Sequence, residues 1–187
     1  EISACLVGSE MCIRDRYILD KIVDTYRSNF DVEEPYEFHG EVYDAYAGFC
    51  MTSAKYVLVK RAELWRAHCF EHAFFQCRDV VQNGDIQRFQ KQLLEYMEPE
   101  LVRGGEKEPV KDHMYTYLTG VFISEKAVSD EAVNSLKKLR FRKNYRFAVR
   151  GFSEERVVLF DIENHRIFGN AAAKDLVKGY KKMFPSF

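Results

Sequence analysis

The segment Tyr115–Ser124 constrains the fold more than any other. Tyr115, Tyr117, Thr119, Val121 and Ile123 alternate with Thr116, Leu118, Gly120 and Phe122. Apolar side chains on both faces of a period-two pattern predict a central strand buried on both sides. The rest of the chain supplies the layers such a strand needs. Ile18, Leu19, Ile22, Val23 and Tyr26 form a helical stripe over Tyr17–Phe30, ended by the run Asp31–Pro35. Three strands are expected next: Tyr43–Met51, Lys55–His68 after a turn at Thr52-Ser53-Ala54, and Phe70–Cys77. A helix capped by Asp85 buries Ile86, Phe89, Leu93, Tyr96 and Met97 and is closed by Pro99, with a charged loop over Glu100–Asp112. Ser129 caps a short helix. Asn144–Phe152, Arg156–Ile162 and Arg166–Phe168 read as a strand meander, and Asn170 caps a last helix. The order α-βββ-α-β-α-βββ-α describes a mixed α/β (α+β) domain with helices packed on a largely antiparallel sheet.

The 187 residues suit one globular domain, and 47% hydrophobic with 30% charged residues argues against disorder. Residues 1–16, EISACLVGSEMCIRDR, show no helical or strand period. They resemble the translation of a sequencing-adapter read found at the ends of predicted proteins from assembled environmental DNA. They are expected to be non-native, leaving residues 17–187 as the domain. Cys50, Cys69 and Cys77 then remain, an odd set without paired spacing, which points to reduced thiols in the cytoplasm. No apolar stretch approaches the roughly 20 residues of a membrane helix. The formal net charge of −1 conceals a division: residues 17–136 carry 13 basic and 21 acidic groups, whereas residues 137–187 carry 13 basic and 5 acidic. Such asymmetry marks an anionic partner or two halves that complement each other, within the fold or across a homodimer.

Three constellations bear on chemistry. His68-Cys69-Phe70-Glu71-His72 satisfies the H-x-x-E-H pattern of inverted zinc proteases, which requires a helix to bring both His onto one metal. In a strand the two His sit roughly 13 Å apart, so a zinc site at His68 and His72 is not expected. The order α-βββ-α-β resembles the core of the PD-(D/E)xK nuclease superfamily, the restriction-endonuclease-like fold. That resemblance implies a metal-dependent phosphodiesterase, with Asp44 as first carboxylate, Glu63 or Glu71 as second and Lys60 as the strand-end lysine. The motif is broken, because Leu58 stands where an acid is required. Finally, Lys137–Arg150 is basic and free of acids. Arg140, Arg142, Lys143, Arg146 and Arg150 are candidates for binding an anion or nucleic acid. On a strand, Tyr145, Phe147 and Val149 would face the core and Arg146 and Arg150 the solvent. His113, ahead of Tyr115 and Tyr117, reads as a structural histidine with satisfied partners. There is no Gly-rich phosphate loop, no Cys pair at metal spacing and no nucleophile elbow, so no cofactor is expected.

Several phrases together resemble a family of bacterial proteins known as a domain of unknown function. They are Phe30-Asp31-Val32-Glu33-Glu34, Tyr43–Ala47, Lys55–Leu58, His113–Gly120 and Leu159–Ile162. The likeness spans about residues 17 to 184 and implies a free-standing cytoplasmic domain with no assigned catalytic residues. The expectation is a non-enzymatic domain that binds a partner or anion through its basic C-terminal part. The alternatives are a nuclease-like phosphodiesterase and a purely structural or homodimerising domain.

Overall fold

A computed structural model describes residues 15–57 and 62–187, with side chains described for residues 15–52 and 67–187. Helix α1 occupies residues 15–26. Five strands follow: β1 (Asp31–Glu33), β2 (Tyr36–Phe38), β3 (Glu41–Tyr43), β4 (Ala45–Val57) and β5 (Ala62–Arg78). Then come α2 (Asn83–Gln92), a π-helix (Leu93–Val102), β6 (His113–Ser124), α3 (Asp130–Lys138), β7 (Arg142–Asn144), β8 (Phe152–Asp161) and β9 (Arg166–Gly169). A 3₁₀ turn (Ala171–Ala173) leads into α4 (Lys174–Met183). The main sheet has seven strands in the order β1-β4-β5-β6-β8-β7, with β9 also paired to β8. Four pairings are antiparallel, while β5–β6 and β6–β8 are parallel. The expected α+β architecture with a mixed, mostly antiparallel sheet is therefore the one observed.

Helices cover both faces. On one side α1 and α4 place Leu19, Ile22, Val23 and Tyr180 against Phe75, Val121, Val158 and Phe160. On the other, α2, the π-helix and α3 set Phe89, Leu93, Met97 and Leu136 against Phe74, Leu118, Phe122 and Leu159. From Leu118 to Ser124 every residue of β6 is buried, but Tyr115 and Tyr117 are only half-buried and Met114 is exposed. The helices thus cover the C-terminal half of the strand completely and leave its N-terminal half partly open.

The two expected strands Lys55–His68 and Phe70–Cys77 are largely one strand, β5. The expected turn Thr52-Ser53-Ala54 lies inside β4, paired with His68, Ala67 and Arg66. Without Gly or Pro nothing there forces reversal, and Thr and Ser are tolerated in a ladder. Three short strands over residues 31–43 went unseen because they alternate poorly. The β2–β3 hairpin turns on His39 and Gly40, both at positive φ (47° and 77°), the type I′ pattern, with His in place of the usual Asn or Asp. Asp85 is not the N-cap of α2. Gln82 is, and Asp85 closes a capping box from the third position. Pro99 does not close the helix either. The wider π-helical winding moves aside the carbonyl that the proline ring would strike in an α-helix, and the helix runs on to Val102. Ser129 caps α3 as expected, accepting from the Ala132 N–H, whereas Asn170 accepts from the Ala173 N–H and caps the 3₁₀ turn that leads into α4, whose own N-cap is Ala173.

The meander also differs. Its last two strands are β8 and β9, but in place of Asn144–Phe152 the strand is Arg142–Asn144, and the chain then loops, with Arg146, Phe147 and Ala148 at φ of 47°, 54° and 69°. Tyr145 is buried as expected, but Phe147 is 103% exposed and Val149 80%. The loop closes at Gly151, where φ is +69° and a Cβ would stand 2.1 Å from the Met114 carbonyl oxygen.

Gly120 allows α2 to approach the sheet, since a Cβ there would meet the Phe89 ring at 2.8 Å. Gly120→Ala is expected to cost about 1–3 kcal/mol through overpacking. Urea denaturation checks this as a lower midpoint at unchanged slope.

Candidate functional site

The H-x-x-E-H residues do not form a metal centre. His68 and His72 lie on one face of β5 and Glu71 on the other, because the strand alternates. His68 Nδ1 is 3.0 Å from the Thr52 hydroxyl and His72 Nδ1 2.7 Å from the Tyr46 hydroxyl. Burial lowers the His72 pKa to about 4, so it stays neutral. The nuclease-type residues are not brought together. Asp44 sits beside the C-terminal end of β5, accepting from the Cys77 N–H at 2.7 Å. Glu71 is six residues away along that strand, roughly 20 Å. Glu63 pairs with Tyr56 near the opposite end of the β4–β5 hairpin, its side chain outside the described set, and Lys60 lies outside the described residues. Among the described residues no group of three or more His, Cys, Asp or Glu is placed to hold a metal ion.

The basic run is largely engaged within the chain. Arg140 donates to the carbonyls of Lys137 and Leu139 at 2.6 and 2.8 Å, and Arg142 pairs with Glu154 at 2.9 Å. Lys143 pairs with Glu98 at 2.9 Å and Arg146 with Glu108 at 2.7 Å. Arg150 reaches the Pro109 carbonyl at 3.5 Å. Glu98, buried on the π-helix, also accepts from Arg103 at 2.8 Å and from the Tyr145 hydroxyl at 2.6 Å. Desolvation opposes ionisation, but donors from Arg103, Tyr145 and Lys143 outweigh it and hold the carboxyl below its ordinary value. Acidic and basic halves meet here. His113 has the expected partners, with Nδ1 2.8 Å from the Arg150 carbonyl and Nε2 2.8 Å from the Thr116 hydroxyl. A register shift at His68/Cys69 turns it to the face opposite Tyr115.

The half-open part of the sheet holds the residues that sequence reasoning missed. Register brings Glu71, Tyr117 and Glu154 into one row, Tyr115 and Phe152 into the row before and Thr119 and Arg156 into the row after. The rings of Tyr115, Tyr117 and Phe152 form a triangle with centroids 4.8, 6.1 and 6.2 Å apart. Two guanidinium groups lie over them. Arg156 Cζ is 3.1 Å from the Tyr117 centroid and Arg142 Cζ 3.8 Å from that of Phe152. Arg156 Nε is buried and has no hydrogen-bond partner among the described residues. Glu71 accepts from the Thr119 hydroxyl at 3.0 Å, and burial raises its pKa against the opposing pull of Arg156 and Thr119. Beyond Glu71 a cleft of about 350 Å³ opens between α1 and α4. Its wall includes Tyr26 and Tyr180, whose hydroxyls are 3.0 Å apart. Burial pushes Tyr26 up to about 12. This face can stack planar groups on flat cations and offer an unused donor. Glu71 and Arg142 were visible as candidates, but Arg156 gave no local signal, since its neighbours Tyr117 and Thr119 are distant in sequence.

The other face carries a buried titratable group without a role in this site. Glu155 is 0% exposed, and neither carboxyl oxygen has a well-formed hydrogen-bond partner among the described residues. Desolvation raises its pKa to about 7, with partial relief from the backbone of Phe141. In the unfolded chain it ionises near 4.5, so the native state alone holds the proton between the two values, and stability falls as pH rises through that window before levelling off. The wild-type protein is expected to lose as much as about 3 kcal/mol between these limits. Glu155→Gln should remove that slope, as read by urea midpoints across pH; an unchanged slope in the variant would assign it to another group.

No curated protein and no solved structure matches the chain. A family model, described as a domain of unknown function, matches residues 14–182 and so takes in the whole site: the chain belongs to the DUF8052 family.

Proposed function

We propose that the protein is a non-enzymatic binding domain that holds a planar anionic ligand, a nucleobase-bearing phosphate in chemical class, on the open half of its sheet. The observation that carries this reading is Arg156. Its guanidinium lies over the Tyr117 ring while its buried Nε has no partner among the described residues. A buried, unused donor on a fixed cation favours an acceptor from outside. Arg142, over the Phe152 ring, supplies a second guanidinium. Nucleobases stack on guanidinium and aromatic planes alike, and phosphates take Arg donors. The basic C-terminal part thus contributes through Arg156 and through Arg142, which keeps its pair with Glu154 on this face, while Arg140, Lys143, Arg146 and Arg150 are engaged elsewhere. Three free thiols, Cys50, Cys69 and Cys77, suit a reducing, cytoplasmic setting. Among the described residues no helix is long and apolar enough to cross a membrane.

Fluorescence anisotropy with a labelled single-stranded oligonucleotide tests the reading. With two cations engaged, the logarithmic salt slope should be shallow, about −1 to −2. Arg156→Gln should weaken binding roughly tenfold or more, the scale of one lost stacking contact. Lys143→Gln should leave it nearly unchanged. No saturable binding in about 50 mM salt, or equal binding by the Arg156 and Lys143 variants, would overturn it.

A further inference from the structure

The cleft between α1 and α4 is chemically unlike the face beside it. Its walls are aromatic and apolar, from Tyr26, Phe30, Tyr180 and Met183, and Glu71 and Asp175 add two carboxylates. Among the described residues no lysine or arginine lines it. Glu71 Oε1 is taken by the Thr119 hydroxyl, while Oε2 accepts no hydrogen bond among the described residues. Arg156 acts on Glu71 through space, without a close ion pair, and lies over Tyr117. At Gly179, on the α4 side, an added Cβ would meet nothing within 4 Å, so the wall is open there. A volume of about 350 Å³ lies at the small end of ligand pockets.

We infer that this cleft is a binding site for a small organic ammonium ion with an apolar body, its charge on Glu71 and its body between Tyr26, Phe30 and Tyr180. Aromatic faces attract cations through their quadrupoles, and a desolvated carboxylate gains most from a paired cation. Asp175 adds attraction at the α4 wall, and the apolar body removes the Phe30 and Met183 surfaces from water. The site stands apart from the proposed anion face, because it depends on Glu71 and Asp175 rather than on Arg142 and Arg156.

Isothermal titration of the full chain with phenethylammonium, against its neutral counterpart 2-phenylethanol, tests the inference. The ammonium ion should bind saturably below about 10 mM, the weak end of small-ligand affinity, with the alcohol roughly tenfold weaker. Glu71→Gln should reduce ammonium binding to the level of the alcohol. Gly179→Leu, which fills the open space without a steric conflict at Cβ, should abolish binding of both probes while thermal unfolding stays cooperative. Arg156→Gln should retain ammonium binding while it weakens oligonucleotide binding, and an unmutated chain that binds the amine but not the oligonucleotide would break the anion reading alone. Equal affinity for the two probes, absence of saturable ammonium binding, or an unaffected Glu71 or Gly179 variant would overturn the ammonium site.

Discussion

The structure depends on the parallel seating of β6 between β5 and β8. Parallel strands cannot be joined by tight turns, so each crossover must carry a helix over a face of the sheet. The β5–β6 crossover carries α2 and the π-helix, and the β6–β8 crossover carries α3. All of these pack on one side, leaving the other to α1 and α4 at the two ends of the described chain. Those two helices cover only the far half of the strands. A complete layer on one face and a half layer on the other leaves Tyr115, Tyr117, Phe152 and Arg156 on a supported but accessible surface.

The charge pattern is resolved in a similar way. Part of the excess of acids before residue 137 and of bases after it is met inside the molecule, where Glu98 takes Lys143 and Glu108 takes Arg146. Of these four groups only the Glu98 carboxylate is buried, and pairs with one exposed partner are worth less as net stability than as a constraint on arrangement. Lys143 of β7 and the Tyr145 hydroxyl at the start of the loop both meet Glu98 on the π-helix, and Arg146 ties the loop to Glu108 in the segment after that helix. Together with the close contact at Gly151, these ties support three consecutive non-glycine residues at positive φ.

Much of this was readable from local patterns, and what was not has a common cause. The doubly buried β6, the apolar stripe of α1 and the caps Ser129 and Asn170 follow from spacing within a few residues. The π-helix at Pro99, the strand character of Thr52–Ala54 and the outward Phe147 were misread because each is decided by a partner distant in sequence or by a rarer backbone geometry. The site shows the same division. Glu71 drew attention through a string match whose helix does not exist, yet it sits at the mouth of a cleft. Arg156 carries no motif at all, and only the parallel register places it beside Thr119 and over Tyr117.

The pairing of Glu98 and Glu108 with the basic run also bears on the speed of encounter. Opposite charges a few ångströms apart cancel at distances beyond the Debye length, about 8 Å at physiological salt. Seen by an approaching polyanion, this chain is nearly neutral despite its uneven sequence. For the proposed anionic ligand, electrostatic funnelling then adds little, and the expected association rate is that of encounters without steering, about 10⁵–10⁶ M⁻¹s⁻¹. On the proposed reading, discrimination falls after contact, on how long a ligand stays with Arg142 and Arg156.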